Sequence, residues 1–152
     1  MMNPQPKPAN VTARTRGLMV LWGAQFVTIA ILVALTRFIP IAPSAGEDAL
    51  RFQLLDVLGG ATFALSFVVK YLLLRRAVAT QRPDAATTAY VLAFALCELT
   101  ALLGLVNYFL TGRPIVLLFA LAAFGLLFHF PRRAHLEAAA ADTSKGLDST
   151  MR

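Results

Sequence analysis

The segment 85-AATTAYVLAFALCELTALLGLVNYFLTG-112 decides the fold class of this 152-residue chain. Glu98 is the only Asp, Glu, Lys or Arg residue in the segment. A helix that crosses the hydrocarbon core of a bilayer, about 30 Å thick, needs roughly 20 mostly apolar residues. The segment therefore predicts a transmembrane helix with one carboxyl group near its middle.

Three more apolar stretches lie on either side of this segment. Residues 17–36 and 114–130 contain no Asp, Glu, Lys or Arg, and residues 52–69 contain only Asp56. We expect an all-α integral membrane protein, an antiparallel bundle of four transmembrane helices. The predicted spans lie near residues 17–39, 52–74, 86–111 and 114–131.

The composition agrees with this class and argues against others. Hydrophobic residues make up 58% of the chain and charged residues 14%, whereas globular domains average about 45–50% and 25%. The single cysteine, Cys97, excludes an internal disulfide and a cysteine-based zinc site. The sequence has no glycine-rich phosphate loop, no Ser-His-Asp set and no His-x-x-His spacing. We therefore expect no catalytic residues, no metal, no cofactor and no enzymatic activity.

The placement of Lys and Arg predicts the orientation. Most of them lie in the N-terminal tail, in the connection between the second and third spans, and in the C-terminal tail. Because cytoplasmic flanks are enriched in Lys and Arg, both termini are expected to be cytoplasmic, in a plasma (inner) membrane. Residues 1–16 are expected to be a disordered tail, 17–131 the membrane domain, and 132–152 a tail with a short helix followed by disorder. The basic residues are scattered over membrane-flanking segments, which favours lipid over nucleic acid as their partner.

Glu98 is the first candidate site residue, because it lies near the predicted bilayer midplane. An ionisable group there costs about 2.5–3.5 kcal/mol on insertion scales, and such residues usually face a bundle interior or a water path. Desolvation favours the neutral, protonated carboxyl. Gln25 and Thr100 lie at similar depth, and their oxygen atoms could join Glu98 in holding a proton or a small hard cation. Ordinary interhelical or backbone hydrogen bonding is the alternative for both.

Small residues form a stripe on the same helix. At 100° per residue, the stripe falls on one face, and small side chains let helices approach closely in lipid. The second span contributes a pair of glycines. The predicted helix-packing residues are Ala93, Cys97, Ala101, Gly104, Gly59 and Gly60.

Three other polar residues lie towards the predicted span ends. We expect Asp56 to form a boundary salt bridge with Arg37, Arg51 or Arg113. Lys70 is expected to extend its long side chain towards the interface. His129, one residue from the end of its apolar stretch, is expected at the interface as well.

The pattern Cys97-Glu98-x-x-Ala101-x-x-Gly104-Leu105-Val106, with Gln81-Arg82-Pro83 in the preceding loop, resembles a known family. Residues 56–110 are similar to the hairpin of the rotary ATPase proteolipid, the ring-forming c subunit. That resemblance implies that Glu98 binds and releases H⁺ or Na⁺. The second span lacks the family's regular glycine repeat, and two extra spans flank the hairpin. The motif His129-Phe130-Pro131-Arg132 also resembles small bacterial four-span membrane proteins, a likeness that assigns no function.

Three functional hypotheses follow from the sequence. The first is a structural or assembly protein, a homo-oligomer or a partner of another membrane protein, in which Glu98 hydrogen-bonds a neighbouring helix. The second is a proteolipid-like bundle in which Glu98 reversibly binds H⁺ or Na⁺. The third is a small oligomeric, proton-coupled exporter, for which the sequence shows no inverted repeat.

Overall fold

Five helices make up the regular structure of the described residues, which are 8–41, 49–112 and 116–141 in a computed structural model. The helices are α1 (Pro8–Phe38), α2 (Ala49–Ala79), α3 (Pro83–Thr111), α4 (Val116–Phe128) and α5 (Arg133–Ala140). The sequence prediction of an all-helical protein is confirmed over these ranges. Helix α1 begins at Pro8, so residues 8–16, assigned from sequence to a disordered tail, are helical. The predicted disorder of 1–7 and 142–152 lies outside the described residues.

Proline and glycine set the ends of α3. Gln81, with φ 53°, takes the left-handed conformation after α2, and the Arg82 amide donates to the Ala77 carbonyl at 3.0 Å. Pro83 then opens α3, where its missing N–H costs nothing. Gly112 ends α3 at φ 67°, and its amide donates to the Tyr108 carbonyl at 2.8 Å.

Contacts at both ends of the helices define the topology. Arg14 of α1 pairs with Asp84 at the start of α3, and the Tyr108 hydroxyl donates to the Ile39 carbonyl at the opposite end. Helices α1 and α3 are therefore parallel, with residue 28 of α1 level with Glu98 of α3. Helices α2 and α4 run antiparallel to α3.

Helix α3 is the centre of the bundle. Its buried residues face the other helices on several sides and are mostly small or aromatic. Large apolar side chains on the outer helices face outward; Val20 of α1 is 74% exposed and Val57 of α2 is 68% exposed. Such a continuous apolar exterior is unfavourable in water and suits a lipid environment.

Three helical segments are long and apolar enough to cross a membrane: Val11–Phe38, Gln53–Ala79 and Pro83–Thr111. The described part of α4 is about 20 Å long at 1.5 Å per residue, shorter than the hydrocarbon core. Helices α4 and α5 meet at a bend of 52° and together count as a further candidate span. Pro131 lies in this break, where it removes a backbone donor and disfavours helix before it. The described ranges thus contain three to four potential spans, consistent with a membrane protein.

Candidate functional site

Glu98 lies in the middle of α3 at the edge of its buried face, and its side chain is half-buried. Within the described ranges, its carboxyl group makes no hydrogen bond or ion pair. The predicted small-residue stripe lies beside it and is fully or almost fully buried; it consists of Ala93, Cys97, Ala101 and Gly104. The stripe therefore packs against neighbouring helices, while Glu98 borders that contact.

Gln25 of α1 lies close to Glu98 in depth. The parallel register of α1 and α3 places Gln25 within one helical turn of the Glu98 level. Gln25 also falls on the inward stripe of α1, between the core residues Leu18 and Ile29. Its Oε1 atom is buried and has no hydrogen-bond partner among the described residues. An unpaired acceptor and an unpaired carboxyl therefore occur at one level on two adjacent helices.

Thr100 is directed away from Glu98, towards α2. Its hydroxyl lies 2.9 Å from the Thr62 hydroxyl and 3.0 Å from the Leu96 carbonyl oxygen of its own helix. Positions two apart on a helix differ by about 200°, so Glu98 and Thr100 face different neighbours. Of the three candidate ion ligands, the structure brings Glu98 and Gln25 to one level and binds Thr100 into the α2–α3 interface.

The glycines differ in what surrounds them. A Cβ on Gly59 would lie 2.6 Å from a Leu118 methyl, and one on Gly104 would lie 3.1 Å from the Leu118 Cβ. Gly125 of α4 is equally tight, 2.7 Å from the Cys97 sulfur. A Cβ on Gly60 would have open space around it. The close approach of α2 and α4 thus depends on Gly59. Gly60 was also predicted from the sequence to be a helix-packing residue, but no neighbouring helix lies within 4 Å of where its Cβ would be.

A second polar group, which we name the Lys70 cluster, comprises Ser66, Lys70, Tyr90, His129 and His135. The Lys70 ammonium donates to the Phe128 carbonyl at 3.2 Å and lies 3.3 Å from His129 Nδ1. Because an ammonium group can only donate, we assign Nδ1 of His129 as the acceptor. Its Nε2–H then donates to Ser66 Oγ at 2.9 Å. One chain of hydrogen bonds joins α2 to the end of α4.

Tyr90 connects this cluster to α5. Its hydroxyl lies 2.6 Å from His135 Nδ1 and accepts the Arg132 amide at 3.2 Å, while the Lys70 ammonium lies 4.9 Å from its ring centroid. Burial, with the positive charges of Lys70 and Arg132, lowers the pKa of His135 below its ordinary value of 6.5. His135 is therefore neutral at pH 7 and able to accept from Tyr90 at Nδ1.

The sequence analysis predicted neither contact of Lys70 and His129. His129 is fully buried within the protein and the Lys70 ammonium is directed to it, while the position of both residues at a membrane interface stays a prediction. Helix α5 folds over this end of the bundle, with Leu136 and Ala139 buried. The only sequence signal was that Lys70 and His129 lie near the same predicted membrane boundary.

At the other end of the bundle, Asp56 pairs with a residue that the sequence analysis passed over. Asn107 Nδ2 donates to Asp56 Oδ1 at 3.0 Å, and the Asn107 Oδ1 atom is buried without a partner in the described structure. The predicted contacts of Asp56 with Arg51 and Arg113 lie outside the described side chains. A buried Asn in an apolar span is a signal that could have found this pair.

Within the described ranges, no three His, Cys, Asp or Glu side chains lie close enough together to hold a metal ion. The chain matches no protein-family model, no curated protein and no solved structure.

Proposed function

We propose that the chain is a non-enzymatic, multi-pass protein of the inner membrane, with four spans and both termini cytoplasmic. In this proposal the Glu98 carboxyl packs or hydrogen-bonds within the membrane. The observation that carries it is the position of Glu98, half-buried in the middle of α3 with no partner among the described residues. An unpaired carboxyl at that depth is costly, so it requires a partner. Because Gln25 and Glu98 make no hydrogen bond to each other in the structure, that partner is Gln25 after a change of side-chain rotamer, or a helix of a second copy or of another membrane protein.

Substitution at Glu98 tests the structural role. Glu98→Gln retains a hydrogen-bonding side chain and should change the free energy of unfolding by less than about 0.5 kcal/mol, whereas Glu98→Leu should lower it by about 1 kcal/mol. The measurement is SDS-induced unfolding in mixed micelles, with the oligomeric state followed by light scattering. If both variants behave like the unmodified protein, Glu98 has no structural role.

A double-mutant cycle identifies the partner. If Gln25 pairs with Glu98, Gln25→Leu and Glu98→Leu will destabilise by less together than the sum of their separate effects. Additive effects would exclude the Gln25–Glu98 pair, and the partner of Glu98 would then be a helix of another molecule.

The second candidate is proteolipid-like binding of H⁺ or Na⁺ at Glu98. The buried, unpaired Oε1 atom of Gln25 favours it, since an amide oxygen and a carboxylate are suitable ligands for a small hard cation. A proton-coupled exporter built from several copies would use the same carboxyl.

Labelling with a hydrophobic carbodiimide separates these functions. The purified protein in lipid is treated across pH 5–9, with and without Na⁺, and read by intact mass, with Glu98→Gln as the control for the site. Labelling that falls as pH rises indicates a titrating, lipid-accessible carboxyl, and protection by Na⁺ identifies the ion. No labelling at any pH contradicts ion exchange at Glu98 and favours the packed, structural role.

A further inference from the structure

A groove of about 520 Å³ lies between the C-terminal part of α2 and helix α5. We name it the α2–α5 groove. Its apolar lining includes Phe67, Leu74 and Val78 of α2 and Ala138 of α5. The α2 residues share one face because they are spaced by multiples of a helical turn. The groove therefore offers a continuous apolar wall along α2, running towards the membrane interior.

The polar lining of the α2–α5 groove is basic. Lys70 and Arg75 contribute positive charge to it, the neutral His135 also lines it, and no Asp or Glu among the described residues does. The described acidic residues at this end of the bundle, Asp84 and Glu137, already pair with arginines at its surface. The groove thus combines apolar walls with two cations, Lys70 and Arg75, that no carboxylate of the described residues neutralises.

Both long cations retain capacity for a ligand. The Lys70 ammonium has three N–H donors, of which two are directed at the Phe128 carbonyl and His129. Arg75 is exposed and has no hydrogen-bond or ion-pair partner among the described residues. The two residues are about 7.5 Å apart along the helix axis and about 140° apart around it. They therefore lie on opposite sides of the apolar wall, and both line the groove.

We propose that the α2–α5 groove binds an anionic phospholipid of the bilayer, with its phosphate between Lys70 and Arg75 and an acyl chain along Phe67 and Leu74. Charge complementarity selects an anionic headgroup over a neutral one. The apolar wall selects a lipid over a free phosphate, which would leave that wall exposed. The inference depends on the membrane location of the chain and not on Glu98.

Native mass spectrometry of the detergent-purified full chain tests this site. Dioleoylphosphatidylglycerol should bind about tenfold more tightly than dioleoylphosphatidylcholine, and glycerol 3-phosphate should not compete. Arg75→Gln should weaken phosphatidylglycerol binding about tenfold, the usual size of one lost charge-assisted contact. Arg76→Gln is the matched control, because Arg76 is an exposed neighbour that does not line the groove. Its effect should be less than about twofold.

A second pair of variants tests the shape of the groove without changing its charge, one variant filling the groove and the other serving as the control. Ala138→Phe should abolish the preference for phosphatidylglycerol, while Ala134→Phe, on an exposed part of α5 outside the groove, should preserve it. Equal binding of the two lipids, or equal effects of Arg75→Gln and Arg76→Gln, overturns the proposal. Competition by glycerol 3-phosphate would replace the lipid by a free phosphate and overturn it too. None of these outcomes bears on Glu98.

Discussion

The contact between α3 and α4 gives a quantitative prediction at Gly125. A Cβ at this position would lie 2.7 Å from the Cys97 sulfur and 3.3 Å from a Phe63 ring carbon. Favourable contacts between such atoms begin near 3.5–4.0 Å, so the sulfur would have to move by about 1 Å. It is attached directly to the Cβ of a fully buried residue and has little room to do so.

Two opposing effects determine how far Gly125→Ala changes the free energy of unfolding. Overpacking of this kind costs roughly 1–3 kcal/mol, whereas replacing Gly by Ala within a helix favours folding by up to about 1 kcal/mol. Gly125→Ala should therefore lower the free energy of unfolding by about 1 kcal/mol. Gly60→Ala is the matched control, because open space surrounds its new methyl group, and it should be neutral or slightly stabilising. The gap between the variants should be about 2 kcal/mol.

The assay is SDS-induced unfolding in mixed micelles, followed by the fluorescence of Trp22, the only tryptophan. Trp22 stacks edge-on against Phe26 and Phe130 and reports on packing. In a Cys97→Ala background the sulfur is absent, so Gly125→Ala should cost about 1 kcal/mol less than in the unmodified chain. Equal stabilities of Gly125→Ala and Gly60→Ala, or no relief by Cys97→Ala, would refute the reasoning.

Two further predictions concern Thr100 and His135. Thr100→Val removes the hydrogen bond to Thr62 and should lower the free energy of unfolding by about 0.5–1.5 kcal/mol in the same assay. The control is Thr88→Val, which removes an exposed hydrogen bond within one helix and should change the free energy of unfolding by less than about 0.5 kcal/mol. Equal losses of stability in the two variants would contradict the contact between Thr100 and Thr62. Because the pKa of His135 is lower in the folded than in the unfolded protein, the unfolded state binds the proton more tightly, and stability should fall as pH drops below about 6.5. An NMR titration of the His135 ring with a midpoint at or above 6.5 would contradict this direction.

The helix ends show how much the sequence could predict. Pro83 and Gly112 bound α3 close to the predicted 86–111 because their backbone preferences are local. Likewise, the apolar stretches predict helices because a membrane requires each backbone polar group to be satisfied within its own segment. Local backbone chemistry was therefore sufficient to predict both the ends of α3 and the helical segments.

The side-chain partners were not predictable in this way. The spans are apolar all round, so their sequence gives little indication of which face is buried. From the sequence alone, Thr100 could face either the helix beside Glu98 or Thr62 of α2. Only the packed arrangement of α2 and α3 decides for Thr62. Lys70 turns inward because α5 covers that end and brings His135 and Tyr90 against it.

The sequence by itself determined the helical class and the three long apolar helices, and it singled out the carboxyl of Glu98, because these depend on composition and on local backbone chemistry. The tertiary structure alone decided that Gly59 is tightly packed and Gly60 is not. It also decided that Lys70 and His129 belong to one hydrogen-bonded chain. These properties depend on the rotation and register of one helix against another, which arise from contacts between residues far apart in the chain.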